Sequence, residues 1–240
     1  MSQVSTAQNA RPFMIEASAE IRCLCPHFVG AAVWAEVMNG PTPEVLAREM
    51  LEAEQQIAAR YDAETLKSRP AIAATRAAYR ACGKDPSRYR PAGEQLARRV
   101  IKGVGLYRID ALVDAVNLAS LESGYAIGGL DADKIEGRRL TLGIGRADEP
   151  YEGIGRGRLN IEGLPVYRDA RGGVATPTSD HVRTRLTAGT RCLLALINGY
   201  DGDAEGVLAT ARRLEQLLRS YAGSSSAMVW TYGAAGQRAE

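Results

Sequence analysis

The sequence predicts an α+β fold, because its two halves carry different hydrophobic periodicities. Apolar residues recur at spacings of three and four through most of residues 42–122, as they do on one face of a helix. Between residues 139 and 198, short apolar runs are separated by glycines, which is typical of strands joined by turns. Like elements thus follow one another instead of alternating, and this order favours α+β over a doubly wound sheet. The length of 240 residues suits one large domain.

The individual elements follow from capping and turn residues. After a buried strand at residues 28–39, Thr42 is the predicted N-cap of the first helix and Pro43 fits its first turn. Gly83 and Gly103 are the predicted stops of the next two helices. The predicted helices span residues 42–66, 70–82, 92–102, 110–122 and 204–221, and the further strands span residues 139–144, 158–161, 165–168 and 191–198.

The two ends of the chain are predicted to lie outside the folded domain. The polar start MSQVSTAQNARPF has no apolar signal core and is expected to fray. The sequence therefore predicts a flexible segment at 1–27, a domain at 28–222 with a helical part at 42–108, and a C-terminal tail at 223–240. No window approaches twenty apolar residues, so we expect no membrane span and a cytoplasmic location.

Cysteine and glycine motifs argue against metal and nucleotide chemistry. The group Cys23-x-Cys25-x-His27 lacks the ligand spacing of a tetrahedral zinc site, and the chain has two histidines in all. Gly143-x-Gly and the glycines at 153–157 lack the lysine of a phosphate loop and are interpreted as turns. We therefore expect no metal, no cofactor and no ATP-driven ligation.

The helical part carries a local excess of positive charge. Residues 60–108 contain twelve Lys and Arg against four Asp and Glu. Such a field attracts phosphate backbones. The alternative is a helical surface whose charges are simply solvated. The candidate nucleic-acid contacts are Arg88, Arg90, Arg98 and Arg99.

A dense polar run, TPTSDHVRT at residues 176–184, is the strongest candidate for a ligand site. Seven of its nine side chains can form hydrogen bonds. A pocket rim that recognises a small polar ligand would use such a set. A turn network, in which Thr, Ser and Asp bond to nearby backbone, is the open alternative.

Several longer motifs resemble the B3/B4 domain of the bacterial phenylalanyl-tRNA synthetase β subunit. They are residues 112–117 (LVDAVN), 124–137 (GYAIGGLDADKIEG), 166–169 (VYRD) before Gly172-Gly, and the Thr187-x-x-Thr190 pair before an apolar strand. The stretch YRACGKDPSRYRP at residues 79–91 resembles the free-standing members of this family. The resemblance covers roughly residues 28–222. It implies a three-layer B3/B4-like domain with a β-sandwich-like centre, preceded by an N-terminal helical attachment.

In the synthetase this domain holds the editing site, which hydrolyses tyrosine wrongly attached to the phenylalanine tRNA. Asn117, Asp131, Asp133, Lys134, Thr187 and Thr190 fall on the synthetase pattern. Two positions depart from it: Gly128 stands in place of an editing-site histidine, and Leu196 stands in place of a glutamate.

The leading hypothesis is a domain that binds the aminoacyl end of tRNA, and whether it also hydrolyses the ester stays open. In a deacylase, Asp180 would accept a proton from water while Arg183 stabilises the oxyanion. His181 is another candidate base, to which we do not assign the role. The expected substrate-binding residues are Asn117, Asp131, Thr176, Thr178, Ser179, Thr184 and Thr190. The alternatives are a non-catalytic module for a free amino acid or similar metabolite, and a structural partner of another protein. The oligomeric state is not predicted.

Overall fold

The protein, described here as a computed structural model over residues 11–233, consists of six α-helices and ten strands within that range. The helices are α1 (Ala19–Leu24), α2 (Glu44–Arg60), α3 (Pro70–Ala81), α4 (Ala92–Ile101), α5 (Ala111–Ser123) and α6 (Ala204–Tyr221). The strands are β1 (Met14–Ala17), β2 (Val29–Glu36), β3 (Ala126–Asp131), β4 (Arg139–Ile144), β5 (Glu152–Gly153), β6 (Gly157–Arg158), β7 (Pro165–Arg168), β8 (Gly173–Ala175), β9 (Cys192–Gly199) and β10 (Ala227–Tyr232).

Two four-stranded sheets form the centre of the molecule. The central sheet has the order β10-β2-β9-β3 and is antiparallel, while the second sheet has the order β1-β4-β7-β8. Along β2, Ala31 and Val33 pack against the helices, whereas Ala32 packs into the core between the sheets. Because neighbouring strand residues face opposite sides, one apolar run serves both cores. The arrangement of helices, sheet and sheet confirms the predicted three-layer α+β domain with a β-sandwich-like centre.

Helix α5 lies at the middle of the helical layer and shows why this layer is stable. The carboxylate of Asp110 caps its start by accepting a hydrogen bond from Val113 N at 2.9 Å. Gly124 ends it with a φ of 84°, a conformation that favours glycine. The buried guanidinium of Arg69 donates to the Leu121 carbonyl at 2.8 Å, so a positive charge satisfies the last turn of the helix.

The first predicted helix is shorter at both ends than the sequence suggested. Thr42 is not its N-cap, because the Thr42 hydroxyl donates to Asp114 Oδ2 at 2.6 Å instead. The helix ends at Arg60, since the Asp62 carboxylate accepts from Thr65 N at 2.8 Å and starts a separate 3₁₀ turn. The predicted strand at 158–161 shrinks to β6, because the Asn160 side chain forms a turn with Glu162 N at 2.9 Å.

Both predicted chain ends contain parts of the sheets. Residues 14–17 form β1, which pairs in parallel with β4, and α1 follows at residues 19–24. Residues 227–232 form β10, which pairs with β2 along its whole length. The flexible segment at 1–27 and the tail at 223–240 were therefore predicted wrongly for these residues. The remaining parts of those predictions at 1–10 and 234–240 lie outside the described residues. Within residues 11–233, no helix is long and apolar enough to cross a bilayer.

Candidate functional site

The polar run folds into a tight turn that projects from the end of β8. Ala175 and Asp180 pair across its base. The Thr176 hydroxyl donates to the Ser179 carbonyl at 2.9 Å and accepts from Ser179 N at 3.1 Å. Thr176 thus organises the turn itself, as the turn-network alternative expects.

The neighbouring hydroxyl residues anchor this turn to the rest of the protein. Thr178 is buried, and its hydroxyl lies 2.8 Å from the Tyr79 hydroxyl on α3. Tyr151 donates to the Ser179 carbonyl at 2.8 Å. Thr184 is fully buried and donates to the Val174 carbonyl at 3.3 Å. The hydrogen bonds of Thr178 and Thr184 are therefore made within the protein.

Asp180 differs from these residues, because one oxygen of its carboxylate has no partner in residues 11–233. Oδ2 accepts a hydrogen bond from Gly129 N at 3.0 Å, on the open edge of β3. No ion pair involves Asp180 within the same range, and the residue is half-buried. Burial raises the pKa of Asp180 to about 7, and the bond from Gly129 offsets part of this rise.

The Asp180 carboxylate lies against Gly128, one of the two departures from the synthetase pattern. Gly128 and Leu196 are cross-strand partners in β3 and β9, so they lie side by side. A Cβ atom at position 128 would lie 2.9 Å from Asp180 Oδ1. The Asp180 carboxylate therefore occupies space that the side chain of any larger residue at position 128 would take. It also supplies a polar group beside Gly128 and Leu196, whose side chains are not polar.

Arg183 is held by another part of the protein. Its guanidinium forms two hydrogen bonds of 2.9 Å with the two oxygens of Asp169, whose side chain is fully buried. It also donates to the Lys134 carbonyl at 3.1 Å. Burial would raise the pKa of Asp169, but hydrogen bonds from Arg183 and three backbone N–H groups lower it overall. Arg183 thus joins the turn to the loop after β7.

The remaining predicted binding residues lie in two other places. Asp131 accepts from the Thr190 hydroxyl at 2.9 Å and forms an ion pair with Lys134 at 2.8 Å, which fixes the end of β3 to the loop before β9. Asn117 lies half-buried on α5, and its side chain forms no hydrogen bond with residues 11–233. These contacts bring Asp131 and Thr190 together.

Two clefts of about 370 and 530 Å³ share a wall made by Pro150 and His181. The first is also lined by Arg171 and Arg183, the second by Tyr151, Glu152 and Arg158. His181 Nδ1 accepts from Arg183 N at 3.0 Å, and the ring packs edge-on against Tyr151 at 4.9 Å. Burial and the charge of Arg183 lower the pKa of His181. In the neutral ring the proton lies on Nε2, because Nδ1 accepts this hydrogen bond.

The sequence did not single out Tyr151, Arg158 or Arg171 as site residues. Their segments were interpreted only as turns or as a short strand, and folding brings them to the polar run. The signal that could have found this cleft is His181 itself, since the chain contains two histidines.

The four predicted RNA-contacting arginines divide into two pairs. Arg88 and Arg90 are exposed in the loop between α3 and α4. Arg98 forms an ion pair with the fully buried side chain of Glu94 at 2.8 Å, and the Arg99 guanidinium lies over the Tyr107 ring at 3.8 Å. Part of the predicted positive surface therefore serves the helical core.

The loop that carries Arg88 and Arg90 touches the polar turn. Ala92 N donates to the Pro177 carbonyl at 2.7 Å. The Gln95 amide donates to the carbonyls of Arg90 at 2.6 Å and Thr178 at 3.1 Å. The loop with the two exposed arginines thus borders the turn that carries Asp180. In residues 11–233, no group of three or more His, Cys, Asp or Glu side chains is placed to hold a metal ion.

Comparison with known proteins supports the predicted family. Residues 74–223, more than half of the chain, match the B3/4 domain family. The structure is similar to an N-terminal fragment of the phenylalanyl-tRNA synthetase β-subunit from Pyrococcus horikoshii, with 13% identity and a TM-score of 0.47. This similarity covers 92% of this chain and 51% of the fragment, so the chain spans about half the fragment's length. No curated protein sequence matches the chain significantly. On the family match, the chain belongs to the B3/4 domain family.

Proposed function

We propose that this chain binds the aminoacyl end of tRNA and that Asp180 receives the α-ammonium group of the attached amino acid. The observation that carries the proposal is the Asp180 carboxylate beside Gly128, which has no ion-pair partner in residues 11–233. Even in this half-buried position, a charge without a partner is costly, and the neutral acid is favoured. A ligand cation would offset this cost and would hold the carboxylate ionised at neutral pH.

The position of the basic loop favours an amino acid attached to RNA over a free one. Arg88 and Arg90 are exposed, and their loop is bonded directly to the turn that carries Asp180. Arginine is well suited to binding phosphate groups. An amino group at Asp180 and phosphates at the loop are the two features that an aminoacyl-tRNA end combines.

The proposal concerns binding, and hydrolysis is an outcome that the test distinguishes. A carboxylate with a pKa of about 7 could also accept a proton from water. The guanidinium of Arg183, however, is used by Asp169 and Lys134. The oxyanion role predicted for Arg183 therefore gains no support from these contacts.

The test is a panel of correctly and wrongly charged tRNAs, uncharged tRNAs and free amino acids. We expect at least one aminoacyl-tRNA to bind at least tenfold more tightly than its uncharged form. Binding is measured by filter retention, and ester loss is followed over hours. Equal binding of charged and uncharged tRNA would contradict the role of Asp180. Binding of free amino acids alone would favour the metabolite-binding alternative.

A second expected result concerns the basic loop. The variant Arg88→Ala/Arg90→Ala should weaken tRNA binding and reduce the slope of log K against log salt by about 1–2, because each lost phosphate contact removes roughly one unit. The matched control is Arg48→Ala/Arg212→Ala, which removes two exposed arginines from α2 and α6. Equal slopes for the two variants and the wild type would show that the loop charges are merely solvated.

A further inference from the structure

We propose that Cys25 and Cys82 form a site of reversible oxidation, at which hydrogen peroxide converts the two thiols into a disulfide bond. The bond would join the end of α1 to the end of α3. Neither the Asp180 carboxylate nor RNA takes part in this reaction, so the site is independent of the proposed function.

The fold brings these two cysteines together from distant parts of the chain. Cys25 lies just after α1 and Cys82 just after α3, and both pack against the core between the two sheets. Cys25 is buried, whereas Cys82 is half-buried. Their side chains form a hydrogen bond with each other, so the two sulfur atoms are in contact.

The contact gives the two thiols different acidities. The hydrogen bond with Cys82 lowers the pKa of Cys25, and this effect exceeds that of burial, which raises it. The same bond, followed by burial and the charge of Cys25, raises the pKa of Cys82. The thiolate therefore forms more readily at Cys25, while Cys82 keeps its proton and donates it to the Cys25 sulfur. Since the thiolate is the nucleophile, Cys25 attacks the peroxide.

The reaction proceeds in two balanced steps. In the first, the Cys25 thiolate attacks one peroxide oxygen, the O–O bond breaks, and a sulfenic acid and hydroxide form. The hydroxide takes up the proton that Cys25 released on ionising. In the second step, the Cys82 sulfur attacks the Cys25 sulfur, the S–O bond breaks, and the Cys82 proton leaves with the hydroxyl as water. The two thiols thus lose two electrons, and the peroxide is reduced to two water molecules.

The Tyr200 hydroxyl is an unused donor beside this pair. Tyr200 is buried, and its hydroxyl has no hydrogen-bond partner within residues 11–233. Burial is the main reason why the pKa of Tyr200 is raised well above its usual value. The charges of Cys25 and Cys82 contribute to the rise, so the hydroxyl lies near both thiols. An oxygen atom added to Cys25 would give this buried donor an acceptor.

The other two described cysteine environments provide matched comparisons. Cys192 is half-buried like Cys82, but it lies beside carboxylates. Burial and the charges of Asp133 and Glu36 raise the pKa of Cys192, so its thiol stays protonated. Cys23 is exposed and shows what access to solvent does by itself.

The experiment treats the full chain with hydrogen peroxide at neutral pH, blocks the remaining thiols by alkylation, and maps disulfides by mass spectrometry of unreduced peptides. We expect a bond between Cys25 and Cys82 within one chain. The bond should raise the melting temperature by about 5–10 °C, because it constrains the unfolded chain. Dithiothreitol should reverse both changes. Cys192 should be oxidised about tenfold more slowly, since its pKa is raised instead of lowered.

Two variants separate the pair from the exposed thiol. Cys23→Ala should form the same bond as the wild type, whereas Cys82→Ala should show no rise in melting temperature after peroxide treatment. Peroxide that leaves Cys25 and Cys82 as thiols, or that links Cys25 to Cys23 instead, would overturn the site. Oxidation of Cys25 to a sulfinic acid without a bond to Cys82 would also overturn it, because the Cys82 sulfur would then be unable to complete the second step.

Discussion

Replacing Asp180 by asparagine will weaken binding of an aminoacyl ligand at least 100-fold and will raise the stability of the free protein at pH 8. The loss of binding follows because truncating one partner of a buried charge pair costs about 2–5 kcal/mol. Asparagine keeps the shape and can still accept the hydrogen bond from Gly129 N. Binding is measured by calorimetry with a non-hydrolysable aminoacyl nucleotide.

The gain in stability follows from the raised pKa. An unfolded aspartate titrates near 3.9, whereas folding raises the pKa of Asp180 to about 7. Between these values the folded protein holds a proton that the unfolded chain has released. The contribution of this group to the free energy of unfolding therefore falls as pH rises from about 4 to 7, and it stays low above pH 7. We expect Asp180→Asn to recover about 1–2 kcal/mol at pH 8 and nothing near pH 3.

The matched control is Asp148→Asn, which changes an exposed aspartate in a left-handed conformation that asparagine also tolerates. It should alter neither binding nor the pH dependence of the melting temperature. A lower melting temperature for Asp180→Asn, combined with full binding, would mean that Asp180 is part of the turn network and not a ligand site.

Arg183→Ala will lower the free energy of unfolding by about 3 kcal/mol, because it leaves the buried carboxylate of Asp169 without its cation. The three backbone N–H donors to Asp169 keep the loss from being larger. The double variant Arg183→Ala/Asp169→Ala should regain part of the stability, since it removes the uncompensated charge. Denaturant unfolding at pH 7 measures all three proteins.

Arg171→Ala is the appropriate control, because it removes an exposed ion pair that contributes about 0–1 kcal/mol. If Arg183→Ala is as stable as this control yet loses ligand binding, then the Arg183 guanidinium faces the ligand. That result would support the oxyanion role predicted for Arg183 from the sequence. A fall in stability that explains the loss of binding would leave Arg183 as a residue that positions the turn.

The sequence predicted those elements whose stability depends on local chemistry. Helix α6 and the strands β4 and β7 have the predicted bounds, because periodicity and glycine punctuation act over a few residues. Strands β1 and β10 were missed, since each is stabilised by a partner more than 100 residues away. A six-residue strand has little signal of its own when its partner is not known.

The candidate site likewise contains one residue that the sequence could indicate and several contacts that it could not. Asp180 could be singled out because it lies in a dense polar run. The space it uses depends on Gly128, which is 52 positions earlier in the chain and becomes its neighbour only through the packing of β3. The ion pair between Arg183 and Asp169 could likewise be recognised only in the tertiary structure, because nothing in the spacing of these two residues favours it.

The placement of β2 inside the central sheet determines when its strand pairs can form during synthesis of this chain. β2 lies between β9 and β10, whose residues emerge from the ribosome about 160 and 195 positions later. Its apolar segment therefore stays unpaired while about 160 further residues are made, and such exposed strands are prone to aggregate. For the same reason, a fragment cut at residues 74–223 would lack three strands, one of them interior to the sheet. The segment that defines the family by sequence is thus smaller than the unit that folds.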